Sequence, residues 1–272
     1  MANNEQNQRG EIIAVCSAKG GVGKTVMAVN LAIALRKKNL KISVVDGDFQ
    51  FGDVSMALDI QSSLSIKDVV DHLDTLDQHS LVNFLNVHES GVKLLSAPHR
   101  PEYADLITEE IIEKTLKLLA VENDFVVVDT GVGIHDKNLP IIENADEILL
   151  ITNLEMATLK NTKLMLETLQ ALEFDHKVKV VVNRATMNSV IKASDVENIL
   201  GVDVAYYIPN DFQIASQSIN IGIPFVINQG KSELAKALFR TAEQIASKRE
   251  LRPLTQKQPS IWSKLFKGHQ DD

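Results

Sequence analysis

Seven short apolar runs recur along the chain, each bounded by polar or glycine-bearing segments: EIIAVCS, KISVVD, GVKLLSAP, DFVVVDT, DEILLIT, KVKVVVN and DVAYYIP. Their β-branched content and length read as strands. DFVVVDT is nearly continuous in valine, the pattern of a parallel strand covered on both faces. Between the runs stand stretches whose apolar residues fall three and four apart, which predicts helices. The long ones are KTVMAVNLAIALRKK, TEEIIEKTLKLLA and ATLKNTKLMLETLQAL; SIKDVVDHL, HSLVNFLNV and SDVENIL are shorter. TEEIIEKTLKLLA carries acids in its first turn, where they favour the helix dipole. Ser194 and Glu197 have capping-box spacing for SDVENIL, and Gly201 supplies its stop. Strand–helix alternation predicts an α/β fold, a mostly parallel sheet flanked by helices on both faces.

No repeat or change of composition interrupts residues 10–246. The expected organisation is a disordered tail over 1–9, one domain over 10–249, a polar proline-bearing linker over 250–260 and a short amphipathic tail over 261–272. At 272 residues, 44% hydrophobic and 24% charged, the chain can bury a substantial core. The polar start MANNEQNQRGE shows no secretory signal, no apolar run is long enough to span a bilayer, and Cys16 has no disulfide partner. The expected compartment is the cytoplasm.

The phosphate chemistry lies in CSAKGGVGKT. Gly20, Gly21, Val22 and Gly23 lead from a strand into a helix, the context in which loop N–H groups converge on phosphate oxygens. Lys24 would reach the β- and γ-phosphates, and the Thr25 hydroxyl would ligate Mg²⁺. Lys19 is a second lysine in the same loop. It reads either as an exposed cation tuning local potential or as a group that works on phosphate. Asp46 and Asp48 follow the second strand, and Asp129 ends DFVVVDT; strand C-termini are where ligands of parallel sheets bind.

With Lys19 beside the glycines, AKGGVGKT is the deviant Walker A pattern, and over residues 10–246 the sequence resembles the ParA/MinD family of P-loop ATPases. The resemblance implies ATP and Mg²⁺ as ligands and a homodimer when ATP is bound. Lys19 would then reach the partner subunit's nucleotide. Asp48 would position the attacking water with Asp46 in support, and Asp129 would hold Mg²⁺ through water. Gly131 and Gly133 would let their segment follow the γ-phosphate. VVVNRAT resembles the base-reading strand, with Asn183 on adenine. Pro209, Asn210 and Asp211 would pass near the base, although Asn210 and Asp211 read equally well as caps of the following helix. Within the family, DGDFQFGDVSMALDI and ADEILLITNLEMATLKNTKLMLETLQAL are most similar to the CpaE/TadZ branch, which assists Tad-type pilus assembly. DTGVGI is also similar to flagellar regulators of the FlhG/FleN type. The family implies slow hydrolysis and a partner protein that accelerates it.

Charge is uneven. Net charge is −8, yet residues 247–272 hold six cations (Lys248, Arg249, Arg252, Lys257, Lys264, Lys267) against Glu250, Asp271 and Asp272. On a helix Ile261, Trp262, Leu265 and Phe266 share one face, flanked by Lys264 and Lys267. This tail resembles the membrane-targeting helix of MinD, which implies peripheral attachment to the inner face of the cell membrane; packing against protein is the alternative. An acidic domain and an aromatic tail make DNA an unlikely partner. The histidines show no metal-ligand spacing, with His88, His99 and His135 expected at the surface or in loops, and Cys16 is expected in the core.

Overall fold

The computed structural model describes residues 8–249 and 252–253. The strands are β1 (Gln8–Arg9), β2 (Glu11–Cys16), β3 (Ile42–Gly47), β4 (Asn86–Val87), β5 (Lys93–Leu95), β6 (Phe125–Thr130), β7 (Glu147–Thr152), β8 (Val178–Val182), β9 (Val204–Tyr207) and β10 (Arg252–Pro253). The helices are α1 (Lys24–Arg36), α2 (Val54–Ala57), α3 (Ile66–Val70), α4 (Gln78–Leu81), α5 (Glu109–Glu122), α6 (Asn138–Asn144), α7 (Met156–Ala171), α8 (Val196–Leu200), α9 (Phe212–Ile221), α10 (Phe225–Asn228) and α11 (Glu233–Ser247). Eight strands form one sheet in the order β4-β5-β3-β6-β2-β7-β8-β9, parallel throughout except for β4. All seven runs read as strands pair in this sheet.

Alternation along the strands splits the core into two layers. Ile13, Val15, Val44, Val127 and Leu149 face α1 and α11. Ile12, Ala14, Cys16, Val126 and Val128 face α5, α6 and α7. Cys16 is 1% exposed, and burial pushes its thiol up to about 12, so it packs as a small apolar side chain. Helix α1 is covered almost all round. Its buried Asn30 donates to the Val26 carbonyl and accepts from the Val226 N–H at 3.1 Å, which fixes α10.

Three local expectations differ. HSLVNFLNV does not continue as one helix; α4 passes into a 3-10 turn over Val82–Phe84 and then β4. Its last two residues, Asn86 and Val87, pair with β5 at the sheet edge, which the helical spacing could not show. Ser194 and Glu197 form no capping box. Glu197 instead accepts from the Val204 N–H and the Tyr207 hydroxyl, occupying the rim of edge strand β9, while Gly201 (φ 74°) ends α8 as read. His88 lies in the loop between β4 and β5, as read, and is buried there, its Nδ1 2.8 Å from the Ser90 hydroxyl. Gln8–Arg9, taken as part of a disordered tail, pairs antiparallel with Arg252–Pro253, taken as linker. The bidentate Arg9–Asp146 contact (2.6 and 3.0 Å) anchors that pair. Ile261, Trp262, Leu265 and Phe266 lie outside the described residues.

Candidate nucleotide site

Backbone register assembles the acidic half of the site. Strands β3 and β6 pair so that Asp46 stands directly beside Asp129 at the C-terminal edge of the sheet. Both side chains are 1% exposed. Burial raises the Asp129 carboxyl above its ordinary range, opposed by Lys24 and by the Thr25 hydroxyl bonded to it. Asp46 is raised further, by burial first and by the neighbouring charge of Asp129 second. Two carboxylates this close in a dry site resist ionising together and favour an incoming cation.

Lys24 supplies the cation at hand. It sits in the first turn of α1, and its Nζ donates to Asp129 Oδ1 at 3.0 Å and to the Thr130 carbonyl. The loop before it is shaped by Gly21 (φ 76°) and Gly23 (φ 91°), both in the left-handed region, with Gly23 as the N-cap of α1. The helix thus begins with free N–H groups and its positive dipole end beside the lysine. Thr25, Lys24 and Asp129 together form a donor set that fits a Mg²⁺-bound phosphate.

Asp46 also braces the next segment. Its Oδ1 accepts the Asp48 N–H at 3.3 Å, and its Oδ2 accepts the Val54 N–H at 3.1 Å. The loop carrying Asp48 is therefore held at both ends by one carboxylate. Asp48 itself is half-buried and accepts the Phe51 N–H. Across the site, Asn138 Oδ1 accepts the Gly131 N–H and its Nδ2 donates to the Gly133 carbonyl, folding that segment back on α6.

The base-reading expectations converge on a narrow cleft of about 40 Å³ lined by Gly23, Asn183, Pro209, Asn210, Asp211 and Phe212, among others. Asn183 Nδ2 donates to the Val22 carbonyl at 2.8 Å, and its Oδ1 accepts the Arg184 N–H. Asp211 caps α9 through the Ile214 N–H and also lines the cleft. Asn210 accepts no helix N–H; its own N–H donates to Thr186 Oγ1. Sequence reasoning missed Arg184 and Phe212. Arg184 has φ 54°, reaches the Gly21 carbonyl at 3.3 Å and lies 5.5 Å over the Phe212 ring, closing the cleft from outside. The arginine directly after Asn183 was the available signal.

Lys19 stays at the rim. Its amine is 3.4 Å from Glu155 Oε2, with the two side chains 41% and 47% exposed. A second cleft, of about 510 Å³, opens between the 133–139 segment and α7, with Ala18 also in its lining.

A family model described as an AAA domain matches residues 10–182. An ATP-binding protein of Methanocaldococcus jannaschii is 26% identical over 94% of this chain and 95% of its own length. The septum site-determining protein MinD of Thermotoga maritima is 26% identical over 87% of this chain and 88% of its own. The structure of a ParA family ATPase from Chlorobium tepidum superposes with a TM-score of 0.80 at 25% identity, covering 86% of this chain and 99% of that one. The chain is an ATPase that belongs to the AAA domain family, and the relatives that it matches along most of its length belong to the ParA/MinD group.

Proposed function

We propose that this ATPase is a dimerising switch that positions a cellular machine, a Tad-type pilus, at the membrane or cell pole. The observation that carries the reading is the contrast between two lysines of one loop. Lys24 is 9% exposed and committed to Asp129, whereas Lys19 points to solvent with only a loose contact to Glu155. A cation placed there can neutralise a γ-phosphate held by a second copy. Exposed apolar side chains follow the strands at the same C-terminal edge of the sheet: Phe51 after β3 at 73%, Val132 after β6 at 43% and Met156 after β7 at 64%. A partner subunit would cover them.

In this reading the phosphate loop and Thr25 hold Mg·ATP, the metal neutralising phosphate charge. Asp48 orients water, and Asp46 keeps the Asp48 loop in place. The cleft beside Gly133–Leu139 gives an activating protein a surface from which to order that segment. Hydrolysis would release the dimer. The tail residues Ile261, Trp262, Leu265 and Phe266 would hold the dimer peripherally at the inner membrane face. Size-exclusion chromatography with Mg·ATP tests the central step. The Asp48→Ala variant should run as a dimer and the Lys19→Ala,Asp48→Ala variant as a monomer. Equal dimer yield from both would sink the role given to Lys19.

Asn183→Ala should weaken ATP binding by roughly tenfold, since it leaves the Val22 carbonyl buried without its donor and removes the amide that would read adenine. Titration with ATP and GTP checks this. The loss should be larger for ATP; an equal loss for both would show that Asn183 only shapes the loop.

Division-site placement of the MinD kind fits about equally well, on the Thermotoga relative. Flagellar placement and DNA partitioning are further variants of the same switch. Subcellular position of a fluorescent fusion, scored with pili, flagella and division septa each deleted in turn, separates them: only the true machine's loss should scatter the protein.

A further inference from the structure

One corner of the domain gathers cations around the point where the chain runs on toward its tail, and we propose that this corner is a second contact with an anionic bilayer. The inference deepens the membrane reading above and rests on it. Helix α11 ends beside the start of β6, where Arg249 Nη2 meets Asp124 Oδ1 at 2.5 Å. Four residues later Pro253 is paired with Gln8 in the β1–β10 ribbon. The root of the tail therefore lies at the N-terminal edge of the sheet, opposite the nucleotide loop.

Lys41 is next to that root. Its N–H donates to the free oxygen of the same Asp124 carboxylate at 2.6 Å, and its carbonyl accepts the Asp124 N–H at 2.8 Å. Lys41 closes the segment RKKNLK, which holds Arg36, Lys37 and Lys38 as well. Lys93 opens β5 opposite Ser43, two residues beyond Lys41. The Arg36 guanidinium lies over Gly91, 3.0 Å from where a Cβ would stand. Lys37, Lys38 and Lys41 are exposed, and Arg36 and Lys93 half-buried.

Three acids of this corner are held in ion pairs. Asp124 is paired with Arg249, Asp146 with Arg9 and Glu243 with Lys38. Glu89, Glu122, Glu11 and Glu147 stand in the same region against Arg36, Lys41, Lys93 and Lys248, while Lys37 Nζ donates to the Val226 carbonyl at 2.7 Å. Cations at the end of α1 also complement its dipole, which accounts for Arg36, Lys37 and Lys38. It does not account for Lys41 and Lys93, which stand beyond the helix at the starts of strands.

The physical need is specific. The chain carries a net charge of −8, so an anionic surface repels the body of the domain while attracting the tail. A cationic corner at the tether lets the domain settle against the lipid rather than swing away from it. Each lysine near such a surface contributes a few-fold in partitioning, within a Debye length.

The test is sedimentation of the full chain with Mg·ATP on vesicles of phosphatidylcholine alone and with anionic phosphatidylglycerol added. Lys41→Gln,Lys93→Gln should cut partitioning onto anionic vesicles by roughly tenfold or more. Its partitioning onto neutral vesicles, its thermal midpoint and its ATP turnover should match the unmodified chain. Unchanged partitioning onto anionic vesicles overturns the proposal. If Trp262→Glu abolishes pelleting while the double variant pellets normally, the membrane reading stands and the corner falls. If the unmodified chain pellets with neither vesicle, both fall. A double variant that loses duplex DNA in a gel shift yet keeps vesicle binding assigns the corner to nucleic acid and also overturns the proposal.

Discussion

Lys24→Ala is expected to lower ATP turnover by at least about 100-fold, because it removes a buried cation aimed at the phosphate site. The same change should destabilise the nucleotide-free protein, and the loss should depend on pH. Lys24 Nζ is 3.0 Å from Asp129, itself beside Asp46. Breaking a buried pair costs about 3–5 kcal/mol when it leaves a charge uncompensated. Both carboxyls already titrate above their ordinary range because of burial, and Lys24 is among the groups pulling both down. Without it they rise further. An acid whose folded pKa is raised contributes stability that is present below its unfolded pKa and lost as pH rises through the folded value. The deficit of the variant should therefore be smallest in acid and grow as pH rises above the ordinary carboxylate range. In thermal melts that corresponds to a midpoint lower by roughly 10 °C at pH 8. A deficit independent of pH, or larger in acid, would show that Lys24 does not compensate these two carboxyls.

That prediction joins something the sequence shows to something it does not. Each aspartate is legible alone, as the polar end of a buried valine-rich strand. Their adjacency is not, because β3 and β6 pair across a long excursion through α2 to α5, and register is set by tertiary packing rather than local pattern. The strands of the sheet were readable for the opposite reason: burial on both faces writes itself into a continuous apolar run. Short edge pieces such as Asn86–Val87 carry no such run and were absorbed into a helical pattern. Arg184 was hidden twice over. Its left-handed backbone has no signature in a valine-rich strand, and its partner Phe212 opens a helix that follows another strand. Lys19 could be picked out beside the glycines, but its contact with Glu155 depends on β7 lying next to β2.

Gly23→Ala is expected to reduce ATP affinity by roughly 100-fold while leaving the fold intact. The position has φ 91°, where an L-residue is strained by about 1–2 kcal/mol. A Cβ there would also stand 2.6 Å from Asn183 Nδ2. That amide is not a free side-chain end: it is tied to the Val22 carbonyl and, through its oxygen, to the Arg184 N–H. Relieving the overlap means moving Asn183 away from the loop, so the phosphate cradle and the base cleft are disturbed together. Gly21 provides the control. Its φ of 76° imposes similar strain, but a Cβ added there meets nothing within 4 Å. Gly21→Ala should therefore lose stability comparable to Gly23→Ala yet keep the base cleft, and its loss of affinity should fall equally on ATP and on triphosphate alone. For Gly23→Ala the loss should be greater for ATP than for triphosphate. Equal profiles for the two variants would mean that backbone strain alone, and not the Gly23–Asn183 contact, couples the loop to the base.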